Sequence, residues 1–229
     1  MKSSSELKRR ARQALVGNYG AMIGAGILVF AVSSGLNLLL SLFTNGSLLY
    51  QISFLIVGFL TAILAAGISL LTLNIARGKK VRAADVFAVF SLQPDRLLIL
   101  TLLLELICAA CVLPAAVSLA LGFFFFPWLS GSSLALLVLA GCIVSILLLV
   151  AVSLRYALVY FLCFDYPELS AVELMRESAR RMRGRKGRYF YLQISFLGMY
   201  LLGALSFGIG YLWILPYVSM TDTCFYLET

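Results

Sequence analysis

Two charged side chains stand where the sequence is otherwise apolar. Glu105 follows a run that begins at Leu97, and Arg155 precedes the end of a run at Phe164. At about 1.5 Å per helical residue, both fall roughly 12–14 Å inside those runs. A lone charge at such depth in a bilayer costs several kcal/mol, so mutual pairing is the simplest expectation. The alternatives are an Arg155 that snorkels independently and a polar binding or permeation site. Asp222, flanked by Thr221 and Thr223, sits in the last apolar run, either locally bonded near its helix end or lining a polar cavity. Cys108-x-x-Cys111 places two thiols on one helical face, a spacing suited to thiol redox chemistry. No basic group nearby in sequence would stabilise a thiolate, and cysteine also serves as a small apolar residue in such helices.

The sequence contains no histidine. That excludes His-liganded metal sites and Ser–His or Cys–His catalysis. No acidic cluster and no nucleophile–base pair stands out, so neither a catalytic role nor a cofactor or metal is expected. The densest charge is the run Arg180, Arg181, Arg183, Arg185, Lys186 and Arg188, with a second group at Lys8, Arg9, Arg10 and Arg12. Such clusters beside apolar runs suit anionic lipid headgroups first and a docked membrane or cytoplasmic protein second. No phosphate loop or nucleotide fingerprint accompanies them, and nucleic acid is not an expected partner.

The elements that must position these groups follow from composition. The 229 residues are 62% hydrophobic and 12% charged, with mean hydropathy +1.01 and net charge +8. Soluble domains carry about 25% charged residues, so lipid is the expected solvent. Apolar runs at 19–43, 50–75, 97–121, 134–164, 189–205 and 211–227 are each long enough to cross a bilayer, the last two at the lower limit of about 17 residues. That final pair reads as a full hairpin, with a re-entrant or tilted hairpin as the alternative. Gly20-x-x-x-Gly24 offers a small-residue face for helix contact, as does Gly198; Pro114 and Pro216 lie inside runs and predict kinks covered by neighbouring helices. The first run is longer than a signal-peptide core of roughly 7–15 residues, although Ala31-Val32-Ser33 resembles a cleavage site, so a retained helix is expected.

Three basic segments, at about 3–17, 81–93 and 168–186, precede the three pairs of runs. Ser3-x-x-Glu6 and Ser170-x-x-Glu173 are capping boxes, and Gly17 and Gly184 are placed to end the helices. Leu7, Ala11, Ala14 and Leu15 make one apolar stripe; Leu169, Val172, Met175, Ala179 and Met182 make another. These segments are expected to lie in the headgroup plane with their stripes facing lipid. Every Lys and Arg except Arg155 falls in or beside a basic segment, and the three opposite loops hold none. The positive-inside rule then puts both termini in the cytoplasm. Thr44-Asn45-Gly46-Ser47 makes the first far-side turn, and Phe123 to Phe126, Pro127 and Trp128 the aromatic end of the second.

Several of these motifs resemble one family. Asp165-x-Pro167, Ser178-x-x-x-Met182-x-Gly184, Phe196-Leu-Gly198, Gly208-Ile-Gly210-Tyr-Leu-Trp213, Pro216-Tyr217 and Phe225-Tyr226 are similar to bacterial integral membrane proteins catalogued as domain of unknown function nine-seven-five. The opening Ser5-Glu6-Leu7-Lys8 to Ala14-Leu15-x-Gly17-Asn18 and the segment from Val81 to Phe90 fit as well, whereas Met199 stands where that family often has Trp. The resemblance implies a helical protein of the bacterial plasma membrane and assigns no activity.

The resulting expectation is a single all-α membrane domain, 1–229, with six spans as three hairpins, each preceded by a basic interfacial amphipathic helix. Its expected role is accessory or interactive, with a basic cytoplasmic face on anionic lipid. The alternative is a small transporter, or a lipid- or peptide-handling protein, using a polar site near Glu105, Arg155 and Asp222.

Overall fold

The computed structural model describes residues 3–42, 48–92, 94–125 and 131–229. The turn expected at Thr44 to Ser47 and the aromatic end at Phe126, Pro127 and Trp128 lie outside the described residues. The described chain is helical throughout, with no strand. Its α-helices are α1 (Ser4–Leu15), α2 (Tyr19–Leu40), α3 (Leu48–Ala76), α4 (Pro94–Ala120), α5 (Gly131–Tyr156), α6 (Val159–Asp165), α7 (Ala171–Arg181), α8 (Lys186–Ile194), α9 (Leu197–Leu205) and α10 (Tyr211–Tyr226). A 3₁₀ helix, Ala83–Phe90, separates α3 from α4.

Local chemistry sets the ends of the short helices. The Ser3 hydroxyl accepts from the Glu6 amide at 3.3 Å. The box at α7 is reciprocal: Glu173 accepts from the Ser170 amide at 2.8 Å, and the Ser170 hydroxyl accepts from the Glu173 amide at 3.4 Å. Gly17 and Gly184 take the left-handed φ values, +82° and +77°, that end a helix without Cβ strain. Four helical stretches are long and apolar enough to cross a membrane: Tyr19–Leu40, Leu48–Ala76, Pro94–Phe124 and Gly131–Asp165. By length and composition this is a helical membrane protein.

Burial is concentrated at one end, where α2 and α4 begin and α3 and α6 finish. Leu7, Ala11 and Leu15 of α1, Leu71 of α3, Val86 and Val89 of the 3₁₀ helix, Leu97 and Leu100 of α4, Leu162 of α6, Leu174 and Met182 of α7 and Phe225 of α10 share one core. This is also the end that carries the basic segments, called here the basic end. Away from it, the long helices present their apolar side chains outward: Phe30, Leu38, Leu55, Leu106 and Leu147 are all exposed.

Several expectations change. The stripe of α1 packs on α10, so protein rather than lipid covers it. In α7 the covered positions are Ala171, Leu174, Met175 and Ser178, with Met182 buried at its C-terminal cap, and Val172 is exposed. The segment expected over 81–93 is a 3₁₀ helix wedged against α2 and α3. The long run 134–164 breaks between Tyr156 and Val159. The run 189–205 breaks at Ser195–Phe196, where Lys8 of α1 donates to the Ser195 carbonyl at 3.2 Å and the Phe196 ring turns edge-on to Tyr217 at 5.5 Å. Neither α8, α9 nor α10 is among the four long apolar stretches.

Close backbone approach also falls elsewhere. A Cβ at Gly20 or Gly198 would meet nothing within 4 Å. One at Gly24 would stand 2.9 Å from the Ala83 Cβ, and one at Gly67 would collide with the Val86 carbonyl. Thus the 3₁₀ helix seats into glycine notches on two long helices. In α4 and α5 the notch is Gly141, where a Cβ would lie 2.8 Å from the Pro114 carbonyl. Gly67→Leu is therefore expected to lower stability by about 1–3 kcal/mol through overpacking. Gly20→Ala should be neutral or stabilising by up to about 1 kcal/mol. Denaturation midpoints in detergent micelles, followed by circular dichroism, compare the two.

Candidate functional site

The polar groups of the basic end converge on Asp165, the last residue of α6. One carboxylate oxygen accepts from Arg77, just past α3, at 2.5 Å. The other accepts from the Tyr226 hydroxyl, at the end of α10, at 2.7 Å. The Tyr226 ring stacks on Phe161 of α6 with centroids 5.1 Å apart. One carboxylate thereby ties three helix ends. Thr223 of α10 extends the register by donating to Thr72 of α3 at 2.7 Å, both fully buried.

A second cluster adjoins it. Arg181 donates to Glu177 at 2.8 Å and to the Tyr166 hydroxyl at 2.8 Å, with its guanidinium 5.2 Å from the Tyr166 ring centre. Arg180 reaches the other Glu177 oxygen at 2.7 Å, although its own side chain is 78% exposed. Arg96 of α4 donates to the carbonyls of Tyr166, at 2.9 Å, and Pro167. The Arg181 hydrogen bond, aided by Arg180, holds the Glu177 carboxyl below its ordinary value.

The remaining residues of the two basic clusters divide into two groups. Arg188 pairs with Glu228 at 3.0 Å, and its guanidinium lies 5.4 Å from the Phe225 ring centre. Arg185 donates to the Thr229 main-chain oxygen at 2.9 Å. The Lys8 ammonium lies 4.1 Å from the Phe196 ring centre, and the Arg12 guanidinium 5.7 Å from that of Tyr217. Burial, then the nearby Arg12, lowers the Lys8 pKa. Arg9, Arg10, Arg183 and Lys186 are exposed and form no ion pair among the described residues. Six of the ten residues in the sequence-predicted docking set are thus spent on intramolecular contacts.

The deep residues separate. Glu105 and Arg155 form no ion pair among the described residues. Because α5 stops at Tyr156, Arg155 stands level with α7, where its carbonyl accepts from the Ser178 hydroxyl at 3.1 Å. Its side chain is exposed, with the guanidinium 5.8 Å from the Tyr156 ring centre. Glu105 lies half-buried within electrostatic reach of Tyr160 and Cys108. Asp222 belongs to α10, where Gln193 donates to it at 2.7 Å and the Tyr189 hydroxyl is a second partner. Helix α10 packs on α1, α2, α3 and α9, whereas Glu105 and Arg155 belong to the α4–α5 pair. No composite site of the three is formed. Cys108 is exposed, Cys111 is buried, and all five thiols are free of disulfides.

Sequence reasoning missed the Arg77–Asp165–Tyr226 bridge. The signal was available: Asp165 and Tyr226 both belong to the family-like motifs, and Arg77 ends an apolar run.

A model of the family described as "Protein of unknown function (DUF975)" matches residues 1–229. No curated protein and no solved structure matches the chain.

Asp165→Asn and Tyr226→Phe should each lower stability, by about 1–3 kcal/mol where a partner is left unsatisfied. The double variant should lose less than the sum of the two, because they share one bond. A double-mutant cycle on denaturation midpoints tests this. A depressed carboxyl adds stability that is full above its ordinary value of 4.5 and disappears as pH falls through the lower folded value. Acidification from neutral pH should therefore cost the parent protein more thermal stability than Glu177→Gln.

Proposed function

We propose that this chain, which belongs to the DUF975 family, is a non-enzymatic integral membrane protein of accessory or interactive role, its basic end docking to anionic lipid headgroups and offering the same surface to a partner protein. The basic end faces the cytoplasm with both termini, and the membrane is the plasma membrane. The three basic segments gather at this one end, as the positive-inside rule demands of a cytoplasmic face.

The observation that carries this reading is the division of the cations. Arg77, Arg181, Arg185 and Arg188 are held by groups of the chain itself. Arg9 and Arg10 of α1, with Arg183 and Lys186 around the turn from α7 to α8, stay exposed beside them. Internal pairing fixes the scaffold, and the remaining charges present a positive surface on a rigid support. Each is worth about 1 kcal/mol against an anionic leaflet, so four of them bias binding without needing a shaped pocket.

The test is to neutralise Arg9, Arg10, Arg183 and Lys186 together to Gln and compare copurifying lipid by native mass spectrometry. The variant should keep its fold and lose phosphatidylglycerol selectively over phosphatidylethanolamine. An unchanged lipid profile rejects headgroup docking through these four cations. Substituting Arg185 and Arg188 instead should lower stability first, since each holds the end of the chain.

A further inference from the structure

The last hairpin, α8 to α10, has a tip unlike an aqueous loop. From Ser195 to Thr221 the chain carries no charge. Leu205, Phe207 and Ile209 are 77%, 98% and 62% exposed, so three large apolar side chains project from the turn. Phe207 holds φ +53° and Gly208 φ +88°, a left-handed pair that makes the reversal tight.

The backbone amides of that turn, from Ser206 to Leu212, are all satisfied within it. The amide of Ser206 donates to Leu202, that of Phe207 to Ala204, that of Gly208 to Gly203 and that of Ile209 to Ser206. The Gly210 amide finds the Ser206 hydroxyl at 2.8 Å, and that hydroxyl donates in turn to the Gly203 carbonyl at 2.8 Å. Tyr211 and Leu212 donate to Gly208 and Ile209, and the Tyr211 hydroxyl caps the Tyr200 carbonyl at 3.1 Å. A loop in water has no need of this completeness. In hydrocarbon it is obligatory, because no solvent can satisfy a free amide.

Height supports the same conclusion. Tyr226 is bound through Asp165 to Arg77, and Thr223 to Thr72, so the end of α10 is level with the end of α3. From there the 16 residues of α10 climb about 24 Å, while the 29 residues of α3 climb about 43 Å. A hydrocarbon core is about 30 Å thick. The tip therefore stops short of the far surface. Beside it, α2, Ile68 of α3 and α10 enclose a cavity of about 770 Å³ whose lining includes Gly26, Phe30, Phe207, Leu212 and Leu215. Its size falls within the ~300–1,000 Å³ of small-molecule sites.

We propose that the last hairpin is re-entrant, with its tip inside the bilayer, and that the groove it leaves against α2 seats one acyl chain of a membrane lipid. This rests on the membrane reading above but not on headgroup charge. The lining is almost wholly apolar and continuous with the lipid-facing surfaces of α2 and α10, so a hydrocarbon chain is the occupant its chemistry selects. A polar solute would find only isolated hydroxyls, such as those of Ser33 and Ser219.

The experiment uses the full chain in vesicles of phosphatidylethanolamine and phosphatidylglycerol. Phe207→Cys is made in a background whose five cysteines are replaced. Position 207 should resist a membrane-impermeant maleimide from either side and react with it once the vesicles are dissolved in denaturing detergent, where the thiol can ionise. Labelling by the impermeant reagent from the side opposite the basic end overturns the re-entrant hairpin. Should the cysteine-free background not fold, Trp128→Phe leaves Trp213 as the one tryptophan. Lipids brominated deep in the chain should then quench it more than lipids brominated near the headgroup, and the reverse order overturns the proposal. For the groove, Gly26→Leu, at a site with nothing within 4 Å of its Cβ, should remove one retained lipid in native mass spectrometry. An unchanged lipid count overturns the acyl seat. Alkaline carbonate separates the failures: release from the vesicles defeats the membrane reading itself, whereas retention with far-side labelling defeats only the hairpin.

Discussion

One carboxylate governs the register of this molecule. Asp165 accepts from Arg77 with one oxygen and from Tyr226 with the other, so the ends of α3, α6 and α10 must meet at one point. Side chains 88 and 61 residues apart from it in sequence are brought there. Desolvating a charged pair costs several kcal/mol, so such a bridge is poor evidence of net stability. Its consequence is specificity: a one-residue slip of α10 would strand the Tyr226 hydroxyl and separate Thr223 from Thr72. The core of the basic end, from Leu7 to Phe225, then packs on helices whose heights are already fixed.

Much of this was legible in the residues, and the remainder fails for identifiable reasons. Ser3, Ser170, Glu173, Gly17 and Gly184 mark helix ends through local hydrogen bonding and backbone conformation, which depend only on near neighbours. The apolar stripes were equally legible as stripes. Their coverings were not, because an amphipathic pattern states that a face is buried without stating whether protein or lipid buries it. Leu7, Ala11 and Leu15 meet α10. Periodicity is silent where nearly every residue is apolar, so the interruption after Tyr156 could not be read. That one break removed the Glu105–Arg155 pairing, since depth counted from Phe164 assumed an unbroken helix.

The distribution of polar contacts follows the distribution of burial. At the basic end, Arg, Asp, Glu and Tyr side chains form a network in which Arg77, Arg96, Arg181, Arg185 and Arg188 all have partners within the chain. Along α4 and α5, the contacts are a glycine notch and a serine: Gly141 admits Pro114 and Ser118, and the Ser145 hydroxyl accepts from the Ala115 amide at 3.1 Å. Small residues and hydroxyls are how helices associate where lipid is as apolar as leucine and hydrophobic burial offers little gain. The two halves are built by different rules because they answer to different solvents.

That contrast explains why the fold tolerates so little core at its far end. In water, exposed Phe30, Leu38, Leu55, Leu106 and Leu147 would form patches far beyond the few hundred Å² that a soluble monomer presents. With lipid as solvent those side chains need no protein partner, and the long helices need only a rigid base to set their directions. The base is the bridged, ring-stacked end around Asp165, where the sequence spends most of its charge on holding itself together. Within the two basic clusters, Arg9, Arg10, Arg183 and Lys186 are the side chains left exposed and outside that network. Their charge is not consumed by the packing of the basic end, so it contributes to the potential of that surface rather than to the register of its helices.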